Sequence, residues 1–193
     1  MVAIADSTIP KAPTKHRFTV DQYYKMGEVG ILGIEQRTEL IEGEIIEMSP
    51  IGAKHSGSIN RLNRIFAGLV GNQAIISIQN SIRINTHSEP QPDIAILYWR
   101  EDFYVESLPI PSEVFLLIEV ADSTLKYDRE VKAIIYAKAG IPELWIANLE
   151  AQVFEVHRQP SETGYQQVQI YEKGEIINLL MLPDVAIAVD DIF

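Results

Sequence analysis

Glu119 closes the apolar run Val114-Phe-Leu-Leu-Ile-Glu-Val120 and, if the run is a strand, shares its alternating face with Phe115 and Leu117. A carboxylate in such surroundings costs several kcal/mol unless it is paired, protonated or bound to a metal. Asp93 opens a second strand-like run, Asp93 to Trp99, on the same face as Ala95 and Leu97. Pairing of the two strands would bring two acids together, and a hard divalent cation relieves the repulsion between close carboxylates. The alternative is a strand-end cap for Asp93 and a salt bridge for Glu119.

The segment after Glu119 adds a second feature. Spaced at a helical period, Val131, Ile135 and Ala139 mark a buried arc, and Asp128 and Lys132 fall inside or beside it, so both charges point toward the sheet. Asp128, Lys132 and Tyr136 stand at i, i+4 and i+8, stacked on successive turns. One reading is a partly exposed Asp–Lys pair worth a few tenths of a kcal/mol. The other is a lysine aimed at the two carboxylates, able to stabilise charge on a phosphate or orient a water. His55 lies four residues before Ile59 on an apolar helix face, as a hydrogen-bonded boundary residue or a site residue. Glu39, beside Leu40 and Ile41, is an exposed strand carboxylate or a further metal or water ligand.

The elements that must position these residues are legible as patterns. Residues 1–16, with Pro10 and Pro13, read as a flexible arm, and Thr19 caps a helix over Val20 to Met26. Thr38 to Met48 forms a hairpin around Glu42-Gly43. A helix with Ile59, Leu62, Phe66 and Leu69 on one face ends near Gly71-Asn72. Strands follow at Ala74 to Ile78, Ser81 to Asn85, Asp93 to Trp99 and Val114 to Val120, the last apolar on both faces as in a covered central strand. A helix over Leu125 to Ala139 stops at Gly140, and strands at Glu143 to Ala147, Val153 to His157 and Tyr165 to Tyr171 complete the pattern. The order predicts an α/β fold with a mixed central β-sheet flanked by helices and additional C-terminal β-hairpin strands, in a single domain over residues 17–193.

Composition narrows the chemistry. The chain has 193 residues, 47% of them hydrophobic, and no cysteine. Disulfides, thiolate zinc sites and a cysteine nucleophile are therefore excluded. No apolar stretch approaches the roughly 20 residues needed to span a bilayer, and no signal-like run is present, so a cytoplasmic location is expected and no membrane partner. Sixteen Lys+Arg against 27 Asp+Glu give a net charge of -11. A surface of that sign repels nucleic-acid backbones, so a nuclease would need metal ions or a local basic groove, with Lys54, Arg61, Arg64 and Arg83 as candidates.

Taken in order, Glu39-Leu-Ile-Glu-Gly-Glu44, Ser49-Pro50 before His55, Gln91-Pro-Asp93, Ile118-Glu-Val-Ala-Asp-Ser-Thr124, Asp128, Lys132, Tyr136 and Gly140-Ile-Pro-Glu-Leu-Trp-Ile146 resemble the PD-(D/E)XK phosphodiesterase superfamily. The closer resemblance is to its Uma-type branch, bacterial restriction-endonuclease-like proteins long grouped as a domain of unknown function. It covers about residues 18–150. The resemblance implies a restriction-endonuclease-like core in which Asp93 and Glu119 bind Mg2+ or Mn2+, with the backbone carbonyl of Val120 as a further ligand. It also makes Glu39 and His55 accessory residues. That pattern places a lysine two positions after Glu119, where this chain has Ala121; Lys132 would supply the charge from the adjoining helix, positioned by Asp128 and Tyr136.

The expected function is metal-dependent hydrolysis of a DNA phosphodiester, with no small-molecule cofactor and, by the same resemblance, a homodimer. Ala121 and the acidic balance favour an alternative, a nuclease-derived fold that binds nucleic acid or protein without cutting. A third reading, a structural homo-oligomer, draws on the apolar Ile176-Ile177 and Leu179 to Leu182.

Overall fold

A computed structural model describes residues 14–33 and 35–193. Most of the arm expected over residues 1–16 lies outside the described residues. From Lys15 onward the chain is tied to the fold by charge, Lys15 and Arg17 reaching Glu44 at 3.6 and 3.0 Å.

Helix α1 (Val20–Glu28) starts at Thr19, whose Oγ1 accepts from the Gln22 backbone N–H while Gln22 Oε1 accepts from the Thr19 N–H. This reciprocal cap fixes the start of the helix, which continues two residues past the expected Met26. Strands β1 (Thr38–Ile41) and β2 (Glu44–Glu47) form the expected hairpin. Glu42 and Gly43 both have positive φ, as a two-residue hairpin turn with the right twist demands.

Helix α2 (Ala53–Val70) buries Ile59, Leu62, Phe66 and Val70. The expected last contact, Leu69, is instead 40% exposed, because Val70 continues the four-residue step from Phe66 and takes the inward position. The helix lies on one face of a six-stranded sheet of order β3-β4-β5-β6-β7-β8: β3 (Ala74–Ile78), β4 (Ile94–Tyr98), β5 (Val114–Ala121), β6 (Glu143–Asn148), β7 (Val153–Ser161) and β8 (Gly164–Tyr171). Only β5 and β6 run parallel, and the helical run 125–138 joins them as a crossover on the opposite face. Every residue of β5 is buried, as its two-sided apolar pattern requires.

Two hydrophobic clusters fill the two faces. One gathers α2 with Leu116, Ile118, Val120, Trp145, Phe154 and the C-terminal Ile177, Leu179, Val185 and Ile187; the other gathers Leu117, Ala121, Leu144 and Ile146 with Ala133 and Tyr136 of the crossover helix. Ile177 and Leu179 are thus core of this chain, held by the small sheet of β9 (Ile176–Asn178) and β10 (Ala186–Ala188). Ile176, Leu180 and Met181 remain exposed.

Three local expectations are corrected. Ser81 to Asn85 is not a strand: Ile82 N–H donates to Pro90 and Ile84 N–H to Ser88, so the segment folds back on residues 88–90 instead of joining the sheet. Phe115 does not share the face of Glu119, because a register shift opposite Ile96–Leu97 inserts one extra residue and sends Phe115 to the α2 side. In the crossover helix, Asp128–Lys132 adopts π geometry, with Ala133 N–H donating to Asp128. A turn that takes up one extra residue shifts the faces read at a uniform helical period. Val131 and Ala139 are consequently only partly buried, whereas Lys132, Ala133 and Tyr136 point inward.

Gly43 locks the hairpin to the preceding segment. Its carbonyl accepts from Phe18 N–H and its N–H donates to His87, and a Cβ there would stand 2.7 Å from Arg17 Cβ and 2.9 Å from Arg17 Cα. Gly43→Ala combines that clash with a φ of 76°. It should lose about 2 kcal/mol or more in urea denaturation, whereas an unchanged midpoint would mean that the hairpin does not depend on this contact.

Candidate active site

The antiparallel register that pairs Ile94 with Ile118 brings Asp93, just before β4, opposite Glu119 near the end of β5. Asp93 behaves as part of the sheet: its Oδ2 accepts from the Val120 N–H at 2.8 Å, and its backbone carbonyl accepts from the Gln79 N–H. Gln79 also donates from Nε2 to Asp93 Oδ1 at 3.2 Å and holds a positive φ of 51° to do so. His55, from the first turn of α2, completes the set with Nε2 2.9 Å from Asp93 Oδ2.

Glu119 is 3% exposed, between Leu117 and Ala121 on the face covered by the crossover helix. Its Oε1 accepts from Tyr136 Oη at 2.7 Å and from Lys132 Nζ at 3.2 Å. Lys132 Nζ lies 3.3 Å from Glu39 Oε2, so one buried ammonium is shared by two buried carboxylates. Glu39 enters from β1, where Gln91 N–H donates to its Oε2 and Tyr127 Oη to its Oε1. Asp128 is buried beside them and accepts from Thr124 Oγ1 at 2.6 Å.

All the singled-out side chains, Glu39, His55, Asp93, Glu119, Asp128 and Lys132, line one cavity of about 320 Å3, except Tyr136, which lies behind Glu119. Val120 lines it as well. Tyr136 fixes Glu119 and makes no hydrogen bond to Lys132, and Asp128 acts on Lys132 through charge alone. The expected basic groove is not at this cavity. Lys54, Arg61, Arg64 and Arg83 do not line it; Arg83 binds Glu89 and Arg61 binds the Ile192 carbonyl. Arg37, Gln79, Gln91 and Tyr127 do line it. Gln91 stands in the Gln91-Pro-Asp93 phrase, but nothing in the local sequence marks Arg37, Gln79 or Tyr127, because each is delivered by a contact between segments distant in the chain.

The electrostatics follow from burial and crowding. Burial pushes Glu119 well above the ordinary carboxylate range, and the nearby Asp128 and Asp93 push it further despite Lys132 and Tyr136. Burial would raise Asp93 too, but the hydrogen bonds from His55, Val120 and Gln79 outweigh it and hold Asp93 below its usual value. The His55 imidazole is raised chiefly by its bond to Asp93. Burial opposes the charge on Lys132, yet Glu119 and Glu39 outweigh it and keep the ammonium protonated. Four buried carboxyl groups therefore crowd one buried lysine and one histidine, with the partly buried Arg37 at the wall, an excess of acid groups whose crowding helps to raise Glu119 and Asp128.

That excess is what a divalent cation would offset. Among the described residues no group of three or more His, Asp and Glu side chains is arranged to hold a metal ion. Two carboxylates with backbone, water and phosphate oxygens are nevertheless a common donor set for Mg2+. Asp93 and Glu119 both line the cavity, and among the described residues Glu119 Oε2 takes no hydrogen bond from the protein.

A family model, Uma2, described as "Putative restriction endonuclease", matches residues 20–190. Among solved structures, a putative nuclease belonging to DUF820 from Anabaena variabilis ATCC 29413 superimposes with a TM-score of 0.71 at 20% identity, covering 91% of this chain and 97% of that one. At that identity the likeness concerns the fold. No functionally curated protein matches the chain.

Asp128 gives the site a pH signature. Burial first, then Asp93 and Glu39, raise its carboxyl from 3.8 to about 6 against the pull of Lys132 and Thr124. The unfolded chain releases this proton near pH 4 and the folded chain near pH 6, so this group removes stability as pH rises between those values. Asp128→Asn cannot ionise and escapes the loss. In urea denaturation the variant should gain on the parent by on the order of 2 kcal/mol between pH 4.5 and pH 7.5. A pH-independent difference would contradict this burial of charge.

Proposed function

This chain belongs to the Uma2 family, and from that footing we propose that its cavity hydrolyses phosphodiester bonds of DNA with a bound Mg2+ or Mn2+. The observation that carries the reading is the meeting of two carboxylates from adjacent strand ends, Asp93 and Glu119, with a charged lysine locked on one of them. The restriction-endonuclease-like fold supports it.

Asp93 and Glu119, with the Val120 carbonyl, would hold the ion. When bound there, it supplies Lewis-acid polarisation of the phosphate and lowers the pKa of an attacking water. The protein's own groups do the positioning. His55, Gln79 and the Val120 N–H fix both oxygens of Asp93, and Tyr136 fixes Oε1 of Glu119. Lys132 donates to Glu119 and lies in ion-pair contact with Glu39, and of its three N–H donors one left over would face a phosphate oxygen on which negative charge develops. Ala121, at the position where the superfamily pattern has its lysine, is packed in the core at 1% exposure. The positive charge reaches the carboxylates from the helix instead.

Asp93→Asn and Glu119→Gln keep the shape of each side chain and remove its charge. Both should lower manganese-dependent nicking of supercoiled plasmid by at least about 10²–10³-fold. Each takes one charge from a buried pair and should melt below the parent, so cleavage is compared at a temperature where circular dichroism shows all three proteins folded. Variants that cut like the parent would overturn the site. A parent that binds DNA but never cuts it would favour the binding-module reading.

A further inference from the structure

Among the described residues Arg37, Arg61 and Arg64 are the arginines that hold no carboxylate, and of the three Arg37 alone lines the cavity. Arg17, Arg83, Arg100, Arg129 and Arg158 each hold a carboxylate. Arg37, partly buried on the wall of an acid-rich cavity, has no carboxylate partner among the described residues. Of the acids lining the cavity, Asp93 is engaged by His55 and Glu39 and Glu119 by Lys132, while the exposed Glu47 and Asp122 make no ion pair with Arg37. Its Nη2 donates to the neutral Gln91 Oε1 at 2.9 Å, which orients the guanidinium without neutralising it.

The position is rigid as well as charged. Arg37 immediately precedes β1, and its carbonyl accepts from Met48 N–H across the open end of the hairpin. Gln91, which holds the guanidinium, also donates its N–H to Glu39. The anchor and the acid cluster are therefore fixed to one another through one residue. A guanidinium has five N–H donors in a planar fork suited to two oxygens of a phosphate. One is spent on Gln91. In a chain of net charge -11, a phosphate entering this cavity needs such an uncommitted cation.

We propose that Arg37 is the backbone-phosphate anchor of this site, binding a DNA phosphate at the mouth of the cavity and setting the strand against Asp93 and Glu119. The inference rests on the reading of the cavity as a DNA site, but it concerns binding and is tested apart from cutting. A fluorescein-labelled DNA duplex is titrated in calcium buffer, over a series of salt concentrations, with the parent, Arg37→Ala and Arg37→Lys. Manganese-dependent cleavage is measured in parallel.

Arg37→Ala should bind about 10-fold more weakly, and its plot of log affinity against log salt should be shallower by about one unit. Arg37→Lys keeps the charge and loses the fork, so it should retain the slope and bind several-fold more weakly than the parent. Arg37→Lys also covers the case in which the alanine variant fails to fold. An alanine variant equal to the parent in affinity and slope overturns the inference, as does a parent that does not bind the duplex. If the parent binds through Arg37 yet does not cut, the anchor stands and the hydrolytic reading falls. If parent and Arg37→Ala bind and cut alike, the anchor falls and the hydrolytic reading stands.

Discussion

The interaction on which the site depends is the sharing of Lys132 between Glu39 and Glu119. It joins three parts of the fold that have no backbone pairing with one another: the β1–β2 hairpin, the central strand β5 and the crossover helix. An isolated ammonium or carboxylate at this depth is strongly unfavourable, and removing one member of a buried pair typically costs about 3–5 kcal/mol. None of the three elements can therefore move without stranding a buried charge. The same constraint leaves the site short of positive charge, because one lysine serves two acids while Asp93 and Asp128 stand nearby.

Sheet register converts that constraint into chemistry. β4 starts where β5 ends, and Asp93 takes the Val120 N–H with its side chain where the ladder closes. A carboxylate bonded in this way has little freedom, and its neighbour Glu119 is held equally firmly by Tyr136 and Lys132. Preorganised groups of this kind need no rearrangement as charge develops on a bound phosphate. The π turn over Asp128–Lys132 belongs to the same arrangement, since it directs Lys132 toward β5 and β1 while Tyr136, one turn on, still reaches Glu119.

Much of this was legible in the sequence because it depends on local periodicity. An acid closing a fully apolar strand is conspicuous, and a helical period already sets Asp128 and Lys132 inside or beside the buried arc, where they are buried, although the π turn moves Val131 and Ala139 off that arc. The hairpin, both long helices and all six sheet strands likewise show as runs, although β4 is one residue shorter at each end than its pattern suggests and β7 runs four residues past the expected His157 to Ser161. Features that depend on contacts between distant segments did not show. The bulge that turns Phe115 away from Glu119 reflects the pairing of β4 with β5, and the fold-back of Ser81 to Asn85 reflects bonds to Ser88 and Pro90. Arg37 and Gln79 have ordinary neighbours in sequence, and Gln91, although it opens the Gln91-Pro-Asp93 phrase, shows its hold on Arg37 and Glu39 only when the hairpin and the segment before β4 meet. The cations singled out by charge alone, Arg61 and Arg83, are committed elsewhere, a choice made by tertiary partners.

A cation site made by Asp93 and Glu119 is what a crystal soaked in manganese, measured at a wavelength where manganese scatters anomalously, would reveal. An anomalous peak should stand in the cavity bonded to both carboxylates and should be lost in a Glu119→Gln crystal treated identically. A peak that ignores these two side chains, or that persists unchanged in the variant, would contradict such a site.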